Sequence, residues 1–377
     1  MPRYIPRLMT SHGSPPSLDP ELCRVRQDRL RAVLSEKKLD GAVFFDRHYV
    51  HALTGYWHAQ PLTPTALLLR TDGDATVFTH EESPDAPAAD QVLAYVPNYL
   101  FTFRENLPAC LTEVMNPLLQ KVSSLGVDHQ TPAALIEGPD CQEITFDYQY
   151  LRRLKDQDEI ALLVFSIECA AQAYKEAKRI IEPGLSEVSL MAAMHEAATN
   201  AAGEILSGWG QDFRSGVPGG AARRRAVEDG EIYILDVGVG IRGYRCDLCR
   251  AYAVGGTLSD EQFAAYEKIR EVITLGESYF RSGVSCRDMF GAVEAELNGW
   301  NGYSFAHHAG HGIGLDAHEV PRINPQWDDT FAVGDVVAFE PGLYGDVLKG
   351  GIRLENNYQI TDEGFINLSR RIPMELV

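Results

Sequence analysis

Five side chains that can bind metal ions occur in a fixed order, and they constrain this chain more than any other feature. They are Asp236 and Asp247 in IYILDVGVGIRGYRCDLCRAY, His311 in GHGIGL, Glu340 in AFEPGLY and Glu355 in GIRLENN. Four carboxylates and one imidazole are the ligand set expected for two hard or borderline divalent ions that share a site. Two such ions, about 3.5–4 Å apart, can hold a hydroxide between them as a nucleophile. The sequence therefore predicts a dinuclear metallohydrolase.

Both acidic pairs are predicted to lie on β-hairpins. The strand of Asp236 turns through residues 240–243 and returns with Asp247, and residues 338–356 arrange Glu340 and Glu355 in the same way. Carboxylates between apolar strand residues are costly to bury unless cations neutralise them. The alternative is a set of solvated edge acids with a packed histidine. The apolar neighbours of each acid favour metal ligands.

Bulk properties restrict the class of protein. A chain of 377 residues exceeds the single-core limit of about 250–300 residues, so we expect two domains. The formal net charge of −19 argues against nucleic-acid and anionic-membrane partners. No apolar run approaches the roughly 18–20 residues that span a bilayer, and residues 1–20 lack the apolar core of a signal peptide. Seven irregularly spaced cysteines fit a reduced, cytoplasmic protein.

Cys246 and Cys249 form the one cysteine pair with a suggestive spacing. A redox or zinc pair is one interpretation. Residues three apart on a strand point to opposite faces, however, and Asp247 lies between the two thiols. We therefore expect both cysteines to be structural.

The order of helical and strand patterns predicts a mobile tail at 1–20, a small α/β domain at 21–152 and a second domain at 153–377. In the first domain we expect a helix at 21–40 and strands at 41–45, 65–69, 75–80, 91–96 and 123–128. In the second we expect a long helix at 151–181, a helix capped by Ser186, and a helical block at about 260–299 between strand-rich segments.

The runs LDVGVGIRGYRCDLCR, HHAGHGIGLDAHE, AFEPGLY and GIRLENN resemble the pita-bread (M24) metallopeptidases, which include methionine aminopeptidase, prolidase (Xaa-Pro dipeptidase) and aminopeptidase P. LDGAVFF, HALTGYW and LRRLKDQDEIALL resemble the creatinase/prolidase subgroup, whose extra N-terminal domain methionine aminopeptidases lack. The resemblance implies an α/β (α+β) protein: a creatinase-like N-terminal α/β domain followed by a C-terminal pita-bread domain with a dinuclear metal site.

The resemblance also implies roles for the five side chains. Asp236 and Asp247 are expected to be ligands, with Asp247 bridging both ions. His311 and Glu340 complete the shell of one ion, and Glu355 bridges. Glu340 also resembles the proton acceptor beside the bridging hydroxide, which a metal-bound carboxylate touching the nucleophile can be. We expect two divalent ions, with manganese as the leading candidate and cobalt, iron or zinc as alternatives.

Further residues match positions around the family's substrate pocket. His307 and His318 are expected to act in catalysis and substrate binding, whereas His308 is expected to be structural. Arg353 is expected to balance the acidic cluster and to bind a substrate carboxylate. The run at 56–58 matches a segment that approaches the pocket in related enzymes, often from a neighbouring subunit, and the sequence leaves its role open.

One position departs from the resemblance. Gly219 stands where the peptidases carry a substrate-binding histidine, and no histidine occurs between His195 and His307. Losing one hydrogen bond to the transition state costs about 2–4 kcal/mol. The nearby run Arg223–Arg225 has two interpretations: an anion-recognising segment that replaces the histidine or, as we favour, a solvated turn before a strand.

Three functions follow from these observations. The leading hypothesis is a metal-dependent hydrolase of Xaa-Pro peptides, either a dipeptidase or an aminopeptidase P. The second is a pita-bread enzyme acting on a small non-peptide substrate as an amidohydrolase or lyase, which Gly219 supports. The third is a non-catalytic binding module, which the complete ligand set opposes. The resemblance further implies a homodimer.

Overall fold

The computed structural model describes residues 13–58, 62–81, 86–120 and 122–375, and these form two compact units. Residues 17–152 make the N-terminal unit. Residues 153–375, together with residues 13–16, make the C-terminal unit. Residues 1–12 of the predicted mobile tail lie outside the described residues. Among the described helices, none combines the length and the apolar run needed to cross a bilayer.

The N-terminal unit is a mixed sheet with helices. Its helices are α1 (Pro20–Glu36), α2 (Arg47–Thr54), α3 (Leu107–Met115) and α4 (Thr145–Leu151). Its strands are β1 (Gly41–Phe44), β2 (Ala66–Arg70), β3 (Ala75–Thr79), β4 (Gln91–Ala94), β5 (Asn98–Tyr99), β6 (Thr102–Phe103), β7 (Ser124–Val127) and β8 (Asp140–Glu143). The expected helix and strands agree with α1, β1, β2, β3, β4 and β7.

Local sequence explains where this unit changes direction. Asp19 caps α1 by accepting a hydrogen bond from the Glu21 amide at 2.8 Å, and Pro20 occupies the first turn, where a missing N–H has no consequence. Gly55 ends α2 with φ of 75°, a left-handed conformation that glycine adopts without strain. The main sheet runs β4-β3-β2-β1-β7-β8, and Val43, Leu68 and other apolar side chains form its core.

The C-terminal unit combines long helices with several small sheets. Its helices are α5 (Gln157–Ile180), α6 (Glu187–Ala202), α7 (Asp260–Glu277) and α8 (Cys286–Leu297). Its strands are β9 (Gly208–Trp209), β10 (Asp212–Ser215), β11 (Ile232–Val237), β12 (Val239–Ile241), β13 (Tyr244–Arg245), β14 (Leu248–Ala253), β15 (Gly310–Gly312), β16 (Glu319–Ile323), β17 (Val336–Phe339), β18 (Gly342–Gly345), β19 (Gly350–Arg353), β20 (Asn356–Thr361) and β21 (Gly364–Asn367).

The first long helix begins later than its sequence pattern predicts. The expected helix starts at residue 151, but α5 starts at Gln157. The intervening residues serve tertiary contacts instead: Arg153 pairs with Asp335 at 2.7 Å, and Lys155 pairs with Glu319 at 2.9 Å. The expected helical block at 260–299 is likewise two helices, because residues 278–285 break it between α7 and α8. Ser186 occupies the N-cap position of α6, as predicted, but its side chain makes no capping hydrogen bond.

The strand pairs among the described residues of this unit are antiparallel. One sheet has the order β10-β11-β14, a second β13-β12-β9, a third β16-β15-β17-β20-β21, and β18 pairs with β19. Buried apolar residues from β11, β14, α7, α8 and β17 form one continuous core. Both predicted hairpins are present, since β11 pairs with β14 and β17 pairs with β20. Asp236 lies within β11, and Asp247, Glu340 and Glu355 each lie next to a strand of these hairpins.

Candidate metal centre

The five predicted ligands surround one cavity of about 180 Å³ in the C-terminal unit. All are buried, with exposed fractions of 7% or less. The other residues that line the cavity are Gln211, Asp212, His307, His308, His318 and Arg353. Side chains that are far apart in the sequence thus meet in a space large enough for ions and a small substrate group.

The first hairpin supplies two carboxylates. Asp236 lies in β11 opposite Cys249 of β14, and Asp247 immediately precedes β14. Arg242 and Gly243 turn the chain with φ of 51° and 94°, the positive values that a tight hairpin turn requires. The backbone of Asp247 is held by Asn357, whose side-chain oxygen accepts the Asp247 amide at 3.2 Å. Both carboxylates therefore have fixed backbones.

The second hairpin and a neighbouring strand supply the other three groups. Glu340 follows β17 directly, and Glu355 lies between β19 and β20. His311 of β15 pairs with Ala338 of β17, which places its ring beside Glu340. The His311 Nε2 atom lies 3.4 Å from Glu340 Oε1 and 3.9 Å from Asp247 Oδ2. Donor atoms of His311, Glu340 and Glu355 lie within 4.8 Å of one another.

Burial and mutual repulsion make this acidic cluster costly in the absence of cations. Burial, with repulsion from neighbouring carboxylates, raises the pKa of Asp236, Asp247 and Glu355. Glu340 differs: burial opposes its ionised form, but hydrogen bonding to His311 and nearby positive charge lower its pKa to about 2. The buried atoms Asp236 Oδ1 and Glu355 Oε2 have no hydrogen-bond partner within the described structure. Unpaired buried oxygens at a cluster of this kind call for a cation.

The tautomer of His311 also suits a metal ligand. Its Nδ1 lies 2.9 Å from the Gly312 carbonyl oxygen, and a carbonyl only accepts, so Nδ1 carries the proton. Burial opposes the protonated form of His311, but Glu340 and Asp247 raise its pKa, so Nε2 also holds a proton in the absence of a cation. With a cation bound, Nε2 would supply its lone pair in place of that proton. A backbone acceptor that fixes the ring in this way is the usual support of a metal-binding histidine. The donor set, the unpaired oxygens and this tautomer together fit divalent metal ions.

Arg353 offsets part of the negative charge. Its Nη2 donates to Asp236 Oδ2 at 2.9 Å and also to Asp212, while Nη1 donates to the Tyr344 hydroxyl at 3.3 Å. Burial opposes the charged guanidinium, yet the surrounding groups, Asp236 among them, raise the pKa of Arg353 well above its usual value. This geometry supports the expected charge-balancing role. The guanidinium of Arg353 is already hydrogen-bonded to the carboxylates of Asp212 and Asp236.

His307 is held in one orientation by two hydrogen bonds. Its Nδ1 donates to the His308 carbonyl oxygen at 2.7 Å, so its Nε2 accepts from the Tyr344 hydroxyl at 2.8 Å. Burial lowers the pKa of His307, which favours this neutral form. Tyr344 therefore positions a histidine on the cavity wall, a contact that the sequence pattern did not indicate.

Two more histidines lie beside the ligands. The ring of His318 stacks on His311 with centroids 3.8 Å apart and an interplanar angle of 15°. Burial and the neighbouring His311 lower the pKa of His318 to about 4, so His318 is neutral at pH 7. His308, expected to be structural, also lines the cavity, and its Nδ1 lies 3.3 Å from Glu340 Oε1. His308 therefore lies closer to the predicted ligands than its sequence suggested, and its structural role stays a prediction.

Asp212 is the main site residue that sequence inspection missed. It lies opposite Asp236 in the antiparallel pair of β10 and β11, lines the cavity and accepts the Gly220 amide at 2.6 Å. A Cβ atom on Gly219 would lie 2.5 Å from Asp212 Oδ2. Asp212 therefore occupies the space that a side chain at Gly219 would need. The only sequence signal for a strand at 212–215, and so for Asp212 beside Asp236, was a short alternation of polar and apolar residues, which is weak.

The arginines at 223–225 are not a free anion-binding segment. Arg223 donates to the buried carboxylate of Glu187, with Nη2 at 2.6 Å from Oε1, and Arg225 Nη1 donates to Glu231 at 2.9 Å. Of the three, Arg224 is the exposed one. The favoured interpretation of a solvated turn is therefore also incomplete, because two of the arginines neutralise acids within the fold.

Cys246 and Cys249 are both buried free thiols. Burial raises the pKa of Cys246 to about 12. A thiol with so high a pKa is a poor nucleophile and a poor metal ligand at neutral pH. This agrees with the expected structural role.

Comparisons with known proteins match both units. Residues 163–362 match Metallopeptidase family M24, and residues 26–138 match the Creatinase/Prolidase N-terminal domain. An uncharacterised peptidase, YqhT, from Bacillus subtilis is 27% identical over 252 residues, which cover 65% of this chain and 70% of that protein. An Xaa-Pro dipeptidase from Pyrococcus horikoshii is 27% identical over 268 residues, covering 67% and 74%.

Solved structures show the same fold. The crystal structure of the prolidase from Pyrococcus horikoshii superposes with a TM-score of 0.76 at 22% identity, covering 94% of this chain and 100% of that one. The predicted fold class, a creatinase-type N-terminal domain followed by a pita-bread domain, is thereby confirmed. So is the predicted enzyme class, a metallopeptidase. The M24 match spans more than half of the sequence, and the chain belongs to metallopeptidase family M24.

Proposed function

We propose that this protein is a metal-dependent hydrolase of Xaa-Pro peptides. The observation that carries the proposal is the convergence of Asp236, Asp247, His311, Glu340 and Glu355 on one buried cavity. A relative that matches two thirds of the chain is named as an Xaa-Pro dipeptidase, which supports this substrate class. The choice between a dipeptidase and an aminopeptidase P depends on the length of peptide that the cavity accepts.

The five side chains would hold two divalent ions, with manganese proposed as the metal. Such ions would supply Lewis-acid polarisation of the scissile carbonyl and acidification of water. Glu340 is ionised at neutral pH and lies within the ligand cluster beside His311, so we assign it as the group that accepts the proton of the attacking water. The neutral ring of His318 can hydrogen-bond the substrate. We propose His307 as a second residue of the substrate pocket, which would contact the substrate through its ring while its two nitrogens stay hydrogen-bonded to the His308 carbonyl and to Tyr344.

A second candidate is an amidohydrolase or lyase acting on a small non-peptide substrate. The observation that favours it is Asp212, which fills the space beside Gly219. The cavity wall there is the ion pair of Asp212 and Arg353 in place of a neutral imidazole. A substrate would therefore meet different hydrogen-bonding groups from those of a histidine-lined pocket. We also propose a cytoplasmic homodimer, and a monomer in sedimentation experiments at micromolar concentration would contradict it.

The test is hydrolysis of an Xaa-Pro dipeptide and an Xaa-Pro-Xaa tripeptide after reconstitution with Mn²⁺ or Co²⁺. We expect cleavage that a chelator abolishes and that Asp247→Asn reduces at least about 1,000-fold, since ligand loss removes both the ion and its charge stabilisation. Asp362→Asn, which neutralises an exposed turn residue, is the matched control and should leave cleavage unchanged.

The outcomes separate the two candidates. Metal-dependent cleavage of either peptide supports the peptidase, and the preferred length assigns its type. Binding of metal without cleavage of either peptide contradicts the peptidase and favours the small-substrate enzyme. Absence of bound metal at saturating Mn²⁺ and Co²⁺ contradicts both candidates.

A further inference from the structure

A second group of metal-binding side chains lies in the N-terminal unit. His80 and Glu81 follow β3 directly, and His58 follows α2 after its terminal glycine. The His58 Nδ1 atom lies 3.0 Å from Glu81 Oε1, and the two imidazole rings meet edge to face with centroids 4.5 Å apart. One donor atom from each of the three residues lies within 4.8 Å of the others. Two chain segments thus direct three donors toward one point.

Neighbouring hydroxyl groups orient two of these donors. The Thr63 hydroxyl lies 3.3 Å from His58 Nε2, and the Tyr56 hydroxyl donates to Glu81 Oε2 at 3.3 Å. Burial raises the pKa of Tyr56 to about 12, so its hydroxyl keeps the proton that it donates. When Nε2 of His58 donates to Thr63, the lone pair of Nδ1 faces Glu81. Outer partners of this kind fix the rings and carboxylates that bind metals.

His80 distinguishes a metal site from a simple hydrogen-bonded pair. A hydrogen bond between His58 and Glu81 accounts for those two residues, but His80 Nδ1 is buried and has no hydrogen-bond partner within the described structure. A buried nitrogen without a hydrogen-bond partner is destabilising unless a ligand satisfies it. Burial and the adjacent His80 lower the pKa of His58, which keeps that imidazole neutral and able to ligate a cation.

We propose that His58, His80 and Glu81 bind a single Zn²⁺ ion, separate from the metal centre of the C-terminal unit. Two imidazoles and one carboxylate, with a fourth position open to water, are an established ligand set for zinc. Donors about 2.0–2.1 Å from a tetrahedral ion lie about 3.3 Å apart, close to the 3.0 Å between His58 and Glu81. The ion would join the segment after α2 to the end of β3.

The experiment measures metal binding in the full-length chain with the other site disabled. Asp236→Asn and Asp247→Asn together form the background, so that failure of the dinuclear site does not affect the result. Zn²⁺ affinity is measured by competition with a chromophoric chelator, and Co²⁺ is added as a spectroscopic probe of tetrahedral coordination. We expect about one ion per chain, with the visible absorption of four-coordinate Co²⁺.

Two variants and one control decide the proposal. His80→Ala removes the nitrogen that has no other partner within the described structure, and Glu81→Gln keeps the shape but removes the charge. Each variant should weaken Zn²⁺ binding by about 10–100-fold or more, because loss of a residue that merely hydrogen-bonds a ligand already costs about 10–100-fold in metal affinity. His129→Ala, which removes an exposed histidine of the same unit, should have no effect. No bound ion in the background, or equal binding in either variant, would overturn the proposal.

Discussion

Gly219→Ala is the substitution that tests most directly how Asp212 shapes the cavity. The added Cβ would lie 2.5 Å from Asp212 Oδ2 and 2.8 Å from Asp212 Cγ, where ordinary contacts are 3.4–4 Å. Gly219 also has φ of 154°, a conformation that residues with a Cβ rarely adopt. The carboxylate of Asp212 must therefore move by nearly an ångström or the loop must open. Either change disturbs the contacts with Gly220 and Arg353.

The expected magnitude has two parts. Backbone strain at a glycine-only conformation costs about 1–3 kcal/mol. Displacing Asp212 weakens its charge-assisted hydrogen bonds, which contribute about 1.5–3 kcal/mol each, and we take roughly 2–4 kcal/mol for this second part. Gly364→Ala isolates the first part, because Gly364 has φ of 132° and its added Cβ would meet no atom of the described residues within 4 Å.

The assay is urea denaturation of Gly219→Ala, Gly364→Ala, Asp212→Ala and the double variant Gly219→Ala/Asp212→Ala. Gly219→Ala should lower the free energy of unfolding by about 2–4 kcal/mol more than Gly364→Ala does. In the Asp212→Ala background the carboxylate is absent, so this excess should fall to within about 0.5 kcal/mol of zero. Peptide cleavage or metal uptake, measured in parallel, should fall with Gly219→Ala.

Two results would refute the reasoning. If Gly219→Ala destabilises the protein no more than Gly364→Ala, the steric conflict with Asp212 does not exist. If the excess persists in the Asp212→Ala background, the conflict is with another part of the loop.

Three other predictions follow from buried groups. Glu187→Gln should lower the free energy of unfolding by about 2–4 kcal/mol at pH 7, because the buried carboxylate is ion-paired. Hydrogen bonds lower the pKa of Glu187 in the folded protein despite its burial. The stabilisation is therefore present above the unfolded-state pKa near 4.5 and is lost as the pH falls through the lower folded-state pKa. If urea denaturation gave the same difference between Glu187→Gln and the parent protein at every pH, this reasoning would be contradicted. Tyr344→Phe removes the hydroxyl that orients His307 and should lower kcat/KM about 5–30-fold with unchanged metal content, whereas unchanged kcat/KM would exclude this positioning role. A thiol reagent should modify the exposed Cys141 in the native protein and reach the buried Cys246 only after denaturation. If the native Cys141→Ser variant were still labelled rapidly, the remaining thiols would not be buried as described.

Signals confined to short segments were enough to predict the acids and the histidine that the structure brings to one cavity. Asp236, Glu340 and Glu355 each interrupt an apolar strand pattern, and a buried carboxylate in such a pattern has few explanations besides a cation. The hairpins that carry them are local structures, so sequence spacing predicts their pairing. The helix starts were less predictable, because Lys155 continues a helical pattern but forms a buried ion pair with Glu319 instead.

The amino-acid order alone was therefore sufficient for the two-domain organisation, the hairpins and the buried acids, since each depends on interactions between residues close in the chain. It was insufficient for Asp212, for the position of His308 and for the contact between Tyr344 and His307. Those depend on which strands become neighbours: β10 brings Asp212 beside Asp236, and the end of β18 brings Tyr344 to His307. Contacts between distant segments are selected by packing of the whole domain, and no local pattern specifies them.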